Sequence, residues 1–277
     1  MTQELIQQQA QLLQSGTGSQ CAQFAQRVRG ADIPKLQARV LEVGTGADCR
    51  RFAQYVKGAG IAKLQEKLLE IGTAHDCIYF AMGVRGANTV RLQARVLEIG
   101  DGLDCQMFAQ SVAGADITKL QEKVIKIANF YNLLLFAQFV QGADIEKLQA
   151  RVIEICTGAD CRKFAEKVQG ADIGKLKARM IEIGTGEDCL HFALYEEGFD
   201  IEKLQSRILK VGTVSECTYF AQFAKGADVA KLQARVIEIG DEDDFKRFIT
   251  FVEGSDIEKF KPYLEDFAEE LADAEEE

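Results

Sequence analysis

One 28-residue pattern recurs along this chain with no insertion or deletion between copies. Residues 142–169, GADIEKLQARVIEICTGADCRKFAEKVQ, are one copy, and the pattern begins again at Gly30, Gly58, Gly86, Gly114, Gly170, Gly198, Gly226 and Gly254. A fixed period of this kind marks a stacked repeat architecture, because each copy buries its apolar face only against its neighbours. Any reading of the fold starts from that constraint.

Each repeat reads as two short helices, A and B. In the Gly30 repeat, Asp32 caps helix A over residues 33–43, and Gly44 is expected to end it in the left-handed conformation. Thr45 then caps helix B, with Asp48 completing a T-x-x-D capping pattern, and Gly58 closes the helix and opens the next repeat. Helices this short do not persist alone and must be held by packing. On helix A, Ile33, Leu36, Val40 and Val43 fall within an arc of about 80°, and Leu41 widens it. Helix B carries a narrower stripe of Cys49, Phe52, Ala53 and Val56. Phe24, Phe52, Phe80, Phe108, Phe136, Phe164, Phe192, Phe220 and Phe248 hold one position and predict a spine through the core. Gln37 lies inside helix A's apolar arc and recurs as Gln at 65, 93, 121, 149, 205 and 233, with Lys at 177. A buried amide needs partners, so this row predicts bonds to the adjoining repeat.

The expected fold is therefore all-α, an α-solenoid of tandem two-helix repeats forming a right-handed superhelix with polar terminal caps. The expected organisation is one solenoid over 1–277, with a capping repeat at 2–29 and eight repeats over 30–253. A C-terminal cap and acidic tail follow over 254–277. Gln7, Gln8, Gln9 and Gln11 make the first helix polar, as an exposed end requires. In the last copy Pro262 interrupts helix A, and a terminal helix is expected to run on through 268–274.

The net charge of −10 is mostly terminal. Residues 262–277 hold eight of the 43 acidic residues and no Lys or Arg, leaving 35 acids against 33 bases in the rest. No run approaches the roughly 18 apolar residues of a membrane span. MTQELIQQQAQLL lacks the positive flank and apolar segment of a signal peptide, so a cytoplasmic protein without membrane contact is expected. Seven of the eight cysteines (Cys21, Cys49, Cys77, Cys105, Cys161, Cys189, Cys217) share one repeat position, and Cys156 stands apart. Equivalent positions on stacked helices lie about 8–10 Å apart, too far for a disulfide. Reduced, buried thiols are expected, with no metal and no cofactor.

With this pattern in view, the chain resembles the α-solenoid class that includes HEAT, tetratricopeptide and pentatricopeptide repeats. The resemblance is one of architecture: those repeats run longer, and the W-x2-L-G-x2-Y signature of tetratricopeptides is missing here. It implies a binding scaffold and supplies no functional residues.

Two surfaces are candidates. The outward positions of helix B, those of Ala47, Arg50, Arg51, Gln54 and Tyr55, vary from repeat to repeat while the core positions hold. They carry Ile78, Tyr79, Met82, Leu103, Met107, Tyr131, Leu134, Leu135 and Phe139, then, beyond a charged repeat, Leu190, Leu194, Tyr195, Tyr219, Phe223 and Phe251. An apolar strip of this composition suits a protein or peptide partner, including a second copy of the chain. Helix A carries two basic positions four residues apart: Lys35/Arg39, Lys63/Lys67, Arg91/Arg95, Lys119/Lys123 and Lys147/Arg151, continuing to Arg235. As an outward ridge it is the alternative surface, for nucleic-acid phosphates. The two histidines, His75 and His191, lie four repeats apart, and no phosphate-binding, dinucleotide or zinc-protease motif occurs. The sequence reads as a non-enzymatic scaffold.

Overall fold

The computed structural model describes residues 2–127 and 129–264. It is all-helical, a solenoid of helical hairpins in tandem, with no strand among the described residues. The chain divides into two compact units, Met1–Arg151 and Val152–Glu277. The first holds α1 (Gln3–Ser15), α2 (Gly18–Arg27), α3 (Ile33–Val43), α4 (Gly46–Tyr55), α5 (Ile61–Ile71), α6 (Ala74–Gly83), α7 (Thr89–Ile99), α8 (Gly102–Ser111), α9 (Ile117–Ile127) and α10 (Phe130–Phe139). The division falls within α11 (Ile145–Ile155). The second unit continues with α12 (Gly158–Lys167), α13 (Ile173–Ile183), α14 (Gly186–Tyr195), α15 (Ile201–Val211), α16 (Val214–Phe223), α17 (Val229–Ile239) and α18 (Glu242–Phe251). Odd-numbered helices are A and even-numbered ones B.

Within each unit the close hairpin is formed by helix B and the helix A that follows it, as in α4–α5 and α14–α15. The glycine between them takes the left-handed conformation, φ 75–90°, at Gly30, Gly58, Gly86, Gly114, Gly142, Gly170, Gly198, Gly226 and Gly254. That conformation was expected at Gly44, which is instead extended, φ −79° and ψ 159°. In the Gly142 repeat Cys156 holds this position, so glycine is not obligatory; at Gly44 itself the fit is close. A Cβ there would lie 2.5 Å from the Val40 carbonyl oxygen, and a Cβ on Gly18 would lie 2.7 Å from the Gly44 Cα. The A-to-B joint of one repeat is thus pressed against the start of the preceding helix B. Thr45 and Asp48 form the expected reciprocal cap, the Asp48 amide donating to Thr45 Oγ1 and the Thr45 amide to Asp48 Oδ2.

The core follows the predicted stripes on helix B. Phe52, Phe80, Phe108, Phe136, Phe164, Phe220 and Phe248 are fully buried, as are Leu36 and Val40 on α3. All eight cysteines are buried. Val43, placed in the buried arc by its spacing, is 42% exposed, and its equivalents Ile71, Ile99 and Ile127 behave alike. As the last residue of helix A it projects past the end of the packed face.

The glutamine row does what a buried amide must. Gln37 Oε1 accepts from the Gly60 amide at 2.7 Å while its Nε2 donates to the Gly60 carbonyl at 3.2 Å. Gln65 with Asn88, Gln93 with Asp116, Gln121 with Asp144, Gln205 with Asp228 and Gln233 with Asp256 repeat the pair. Each closes a loop 23 residues downstream with two hydrogen bonds, a net contribution of about 1–3 kcal/mol per rung. Gln9, grouped with the polar residues of the first helix by sequence, is a member of this row: its Oε1 accepts from the Asp32 amide at 2.9 Å.

Lys177 breaks the row. It has no acceptor for a backbone amide, and its Nζ donates to the Glu197 carbonyl and sits 4.7 Å from the centre of the Phe199 ring. Two further exceptions accompany it: Glu196 where six of the other repeats have Val, and Phe199 where most have Ala. Phe199 stacks on Phe192 at 4.7 Å. On the facing helix a Cβ at Gly158 would meet nothing within 4 Å, whereas at Gly18, Gly46 and Gly186 it would strike a carboxylate at 2.2–2.7 Å. The seam between α12 and α14 is therefore more open than its counterparts, with a cavity of about 170 Å³ bounded by Arg162, Met180, Glu196 and Phe199.

At the chain's end Pro262 prevents a regular helix A, and two short 3-10 turns, Ile257–Lys259 and Lys261–Tyr263, take its place. Phe260 from this segment packs on Phe245 and Phe248 and closes the core. The terminal helix expected over 268–274 lies outside the described residues. No described helix is long and apolar enough to cross a membrane.

Candidate functional site

Helix B is set by its cap, its buried stripe and the neighbouring B helices, and these fix which of its positions reach solvent. Four positions do: those of Ala47, Arg51, Gln54 and Tyr55. The position of Arg50, grouped with them by sequence, lies at the edge of the seam: it is half-buried at Arg50, Gln106, Arg162, Leu190 and Lys246 and buried at Ala22, Ile78, Leu134 and Thr218. Ile78 is 0% exposed and Leu134 is 4% exposed. Both are removed from the candidate face, because this position turns into the seam between successive B helices, where Ala22 and Thr218 are buried as well. The small-helix arithmetic misses this because helix B is flanked on two sides and not one. Where the seam position is charged, the side chain lies along it: the Arg50 guanidinium sits 5.4 Å from the centre of the Tyr79 ring.

The remaining residues divide by exposure. In the first unit Tyr55, Tyr79, Met82, Leu103, Tyr131 and Phe139 are exposed, with Met107 and Leu135 half-buried beside them. They come from the successive helices α4, α6, α8 and α10, which pack side by side. In the second unit Tyr195 is 74% exposed, the most open of these aromatic rings, and Leu190 and Leu194 are half-buried. Tyr219, Phe223 and Phe251 are each just over half exposed. Tyr219 and Phe223 are stacked at 6.1 Å. With Ser215, Thr218, Gln222 and Arg247 these three rings bound a cleft of about 310 Å³ between α16 and α18. Here outward aromatic side chains surround a concave site.

The basic ridge is a different surface from the one expected. Its first member is exposed but answered by the residue that caps its own helix: Lys35–Asp32 at 3.2 Å, Lys119–Asp116 at 2.9 Å and Lys147–Asp144 at 3.3 Å. The Lys119 ammonium and amide hold the Asp116 carboxyl below its usual range. Arg91 pairs with Glu66 of the preceding helix A. Lys63, whose repeat has Gly60 in place of the capping Asp, makes no ion pair among the described residues. The second member does not point outward. Arg39 is only 17% exposed, its Nε donating to the Gly16 carbonyl at 3.2 Å and its Nη1 held by Glu42 at 2.9 Å. Lys67 and Arg95 are similarly sunk against Glu70 and Glu98, and Arg151 is half-buried. Lys123 turns its Nζ onto the Val96 and Leu97 carbonyls. Arg39 and Lys123 thereby satisfy the carbonyl end of the preceding helix A and complement its dipole.

The thiols are chemically quiet. Burial pushes Cys49, Cys77, Cys105, Cys189 and Cys217 up to about 11, so they remain protonated at neutral pH. His75 Nδ1 lies 3.1 Å from Asp104 and His191 Nδ1 lies 3.9 Å from Glu196, each at the surface of its own unit. No group of three metal-ligating side chains gathers among the described residues. Comparisons with protein-family models, with curated proteins and with solved structures found no match to this chain.

Proposed function

We propose that this chain is a non-enzymatic binding scaffold that recognises a protein or peptide partner through the outer face of its B helices. The observation that carries this reading is the exposure of Tyr, Phe, Met and Leu at the same helix B positions in successive repeats, among them Tyr79, Met82, Leu103, Tyr131 and Phe139 in the first unit. Solvent-facing positions that merely vary accumulate polar residues. Rows of aromatic and Met side chains have the composition of an interface core. Covering half a dozen of them would contribute several kcal/mol, at roughly 25 cal/mol per Å² of apolar surface, before the costs of association. The paired and half-buried basic residues of helix A give the nucleic-acid alternative no comparable support.

The test is a double variant, Tyr131→Asp with Phe139→Asp, both at exposed positions. The helical circular-dichroism spectrum and the melting temperature should be retained while self-association or partner capture is lost. Equal association of the variant and the parent chain, measured by sedimentation and by crosslinking, would remove the reading.

A further inference from the structure

The two basic positions of helix A are paired with acids in most repeats, and one exception is informative. In most repeats the second base is answered three residues on by Glu: Arg39–Glu42, Lys67–Glu70, Arg95–Glu98, Arg179–Glu182 and Arg235–Glu238 lie at 2.7–3.4 Å. On α15 that Glu is Lys210; Lys210 is exposed and Arg207 half-buried beside it, and neither makes an ion pair among the described residues. Arg207 spends only its Nε, on the Gly184 carbonyl at 2.9 Å. These two side chains, with Lys203 and Ser206, form one wall of a groove of about 400 Å³ between α13 and α15. Its other side is Ala178, Ile181 and Glu182, and Glu182 is already held by Arg179 at 2.9 Å. The groove is apolar at its base and carries unanswered positive charge along one wall.

We infer that the α13–α15 groove binds an acidic peptide segment with an apolar face, its carboxylates on Arg207 and Lys210 and its aliphatic or aromatic side chains against Ala178 and Ile181. Charge complementarity selects the occupant. A nucleic-acid backbone would need a track of free cations at phosphate spacing, and the repeats on either side, with Arg179 and Arg235 paired to Glu, do not provide one. The α7–α9 pair serves as an internal comparison. There Lys126 also replaces the Glu, but Glu122 stands where α15 has Ser206, and Lys123 is folded back onto the Val96 and Leu97 carbonyls. This site is separate from the outer face of the B helices, so the two readings can fail independently.

The experiment uses the intact chain and a fluorescein-labelled synthetic peptide, EEFLEELEE, followed by fluorescence anisotropy. Saturable binding is expected near 50 mM salt and should weaken several-fold by roughly 300 mM, where screening of exposed charges is strong. Lys210→Glu restores the residue that sibling repeats carry, so it is compatible with the fold. It should weaken binding about tenfold, as expected when one surface attraction becomes a repulsion. A peptide with Ser in place of Phe and Leu should also bind about tenfold more weakly. Tyr219→Asp with Phe223→Asp should leave binding unchanged. No binding up to about 200 μM peptide, equal binding by Lys210→Glu, equal binding of the Ser peptide, or tighter binding of a labelled single-stranded RNA of similar charge would each overturn the inference.

Discussion

Leu134 and Phe139 lie on the same short helix, and the structure assigns them opposite roles. Leu134 is 4% exposed in the seam between B helices, while Phe139 is 48% exposed. Replacing Leu134 by Asp removes a fully buried leucine, worth about 2–3 kcal/mol in transfer free energy. It also places a carboxylate in a buried seam, which costs several kcal/mol more or forces the group to be protonated. A loss of at least about 4 kcal/mol is expected, large against the 5–15 kcal/mol that holds a typical domain. Phe139→Asp removes a ring of which only half is covered, so its loss is about 1 kcal/mol. Urea unfolding followed by circular dichroism at 222 nm separates these values, with the transition of the first unit read for each variant at several protein concentrations. Concentration dependence matters because an exposed face that self-associates would lend Phe139 additional stability in the oligomer. Equal midpoint shifts for the two variants would refute the assignment of the Arg50-equivalent position to the seam, and with it the division of the apolar face into packing and docking residues.

Three other outcomes follow from the geometry. Gly58→Ala should cost about 1–2 kcal/mol although a Cβ there meets nothing within 4 Å, because the left-handed φ of 85° alone penalises it; an unchanged melting temperature would contradict that backbone. Lys177→Gln should restore a rung of the ladder, and a gain of up to about 1–2 kcal/mol from two hydrogen bonds is offset in part by the lost contact with Phe199; a clear loss of stability would show that the Lys–Phe contact outweighs the rung. The buried thiols predict alkaline sensitivity. Their folded values near 11 exceed the ordinary 9.0, so between these values the unfolded chain holds fewer protons than the folded one, and stability falls as pH rises through that window. Cys→Ala variants at 77 and 105 should flatten the decline in a pH series of thermal melts, and an unaltered slope would rule the thiols out as its cause.

Much of this fold is legible in the sequence because every structural requirement is stated many times over. The Thr–x–x–Asp cap, the Phe and Cys stripe and the Gln row each recur in register, so a local ambiguity in one copy is settled by its siblings. What escaped are contacts that depend on two neighbouring repeats at once. Periodicity places Ile78 and Leu134 on the outside of helix B, and only the lateral approach of the next B helix shows that they are covered. It places Val43 inside helix A, and only the point where the chain turns away shows that it is left open. The second row of the ridge is partly covered for a related reason: Arg39 and Lys123 have the spacing of surface cations, but the carbonyls they bond belong to the preceding repeat. The spacing predicts a left-handed Gly44, and the residue is instead extended within a closely packed joint.

The exceptions at Lys177, Glu196 and Phe199 can be read as one coupled change and not as three separate ones. Lysine removes the acceptor that secures the loop before α15, so that loop needs another anchor; Phe199 supplies it by stacking on Phe192 and by presenting its face to the Lys177 ammonium. Glu196, where Val would have packed, instead receives Arg162 at 3.3 Å across the opened seam. An aromatic stack and a partly exposed ion pair thus replace a bidentate hydrogen bond and an aliphatic contact. Each substituted interaction is individually weaker or more easily screened than the one it replaces. The second unit should therefore open first at α12–α14, and amide hydrogen exchange across α12 and α14 gives a direct reading. Faster exchange there than at α16 and α17, narrowed by raising Lys177→Gln, Glu196→Val and Phe199→Ala together, would follow from this coupling; exchange at α12–α14 as slow as at α16–α17 would mean that the replacement contacts hold the seam as firmly as the ladder does elsewhere.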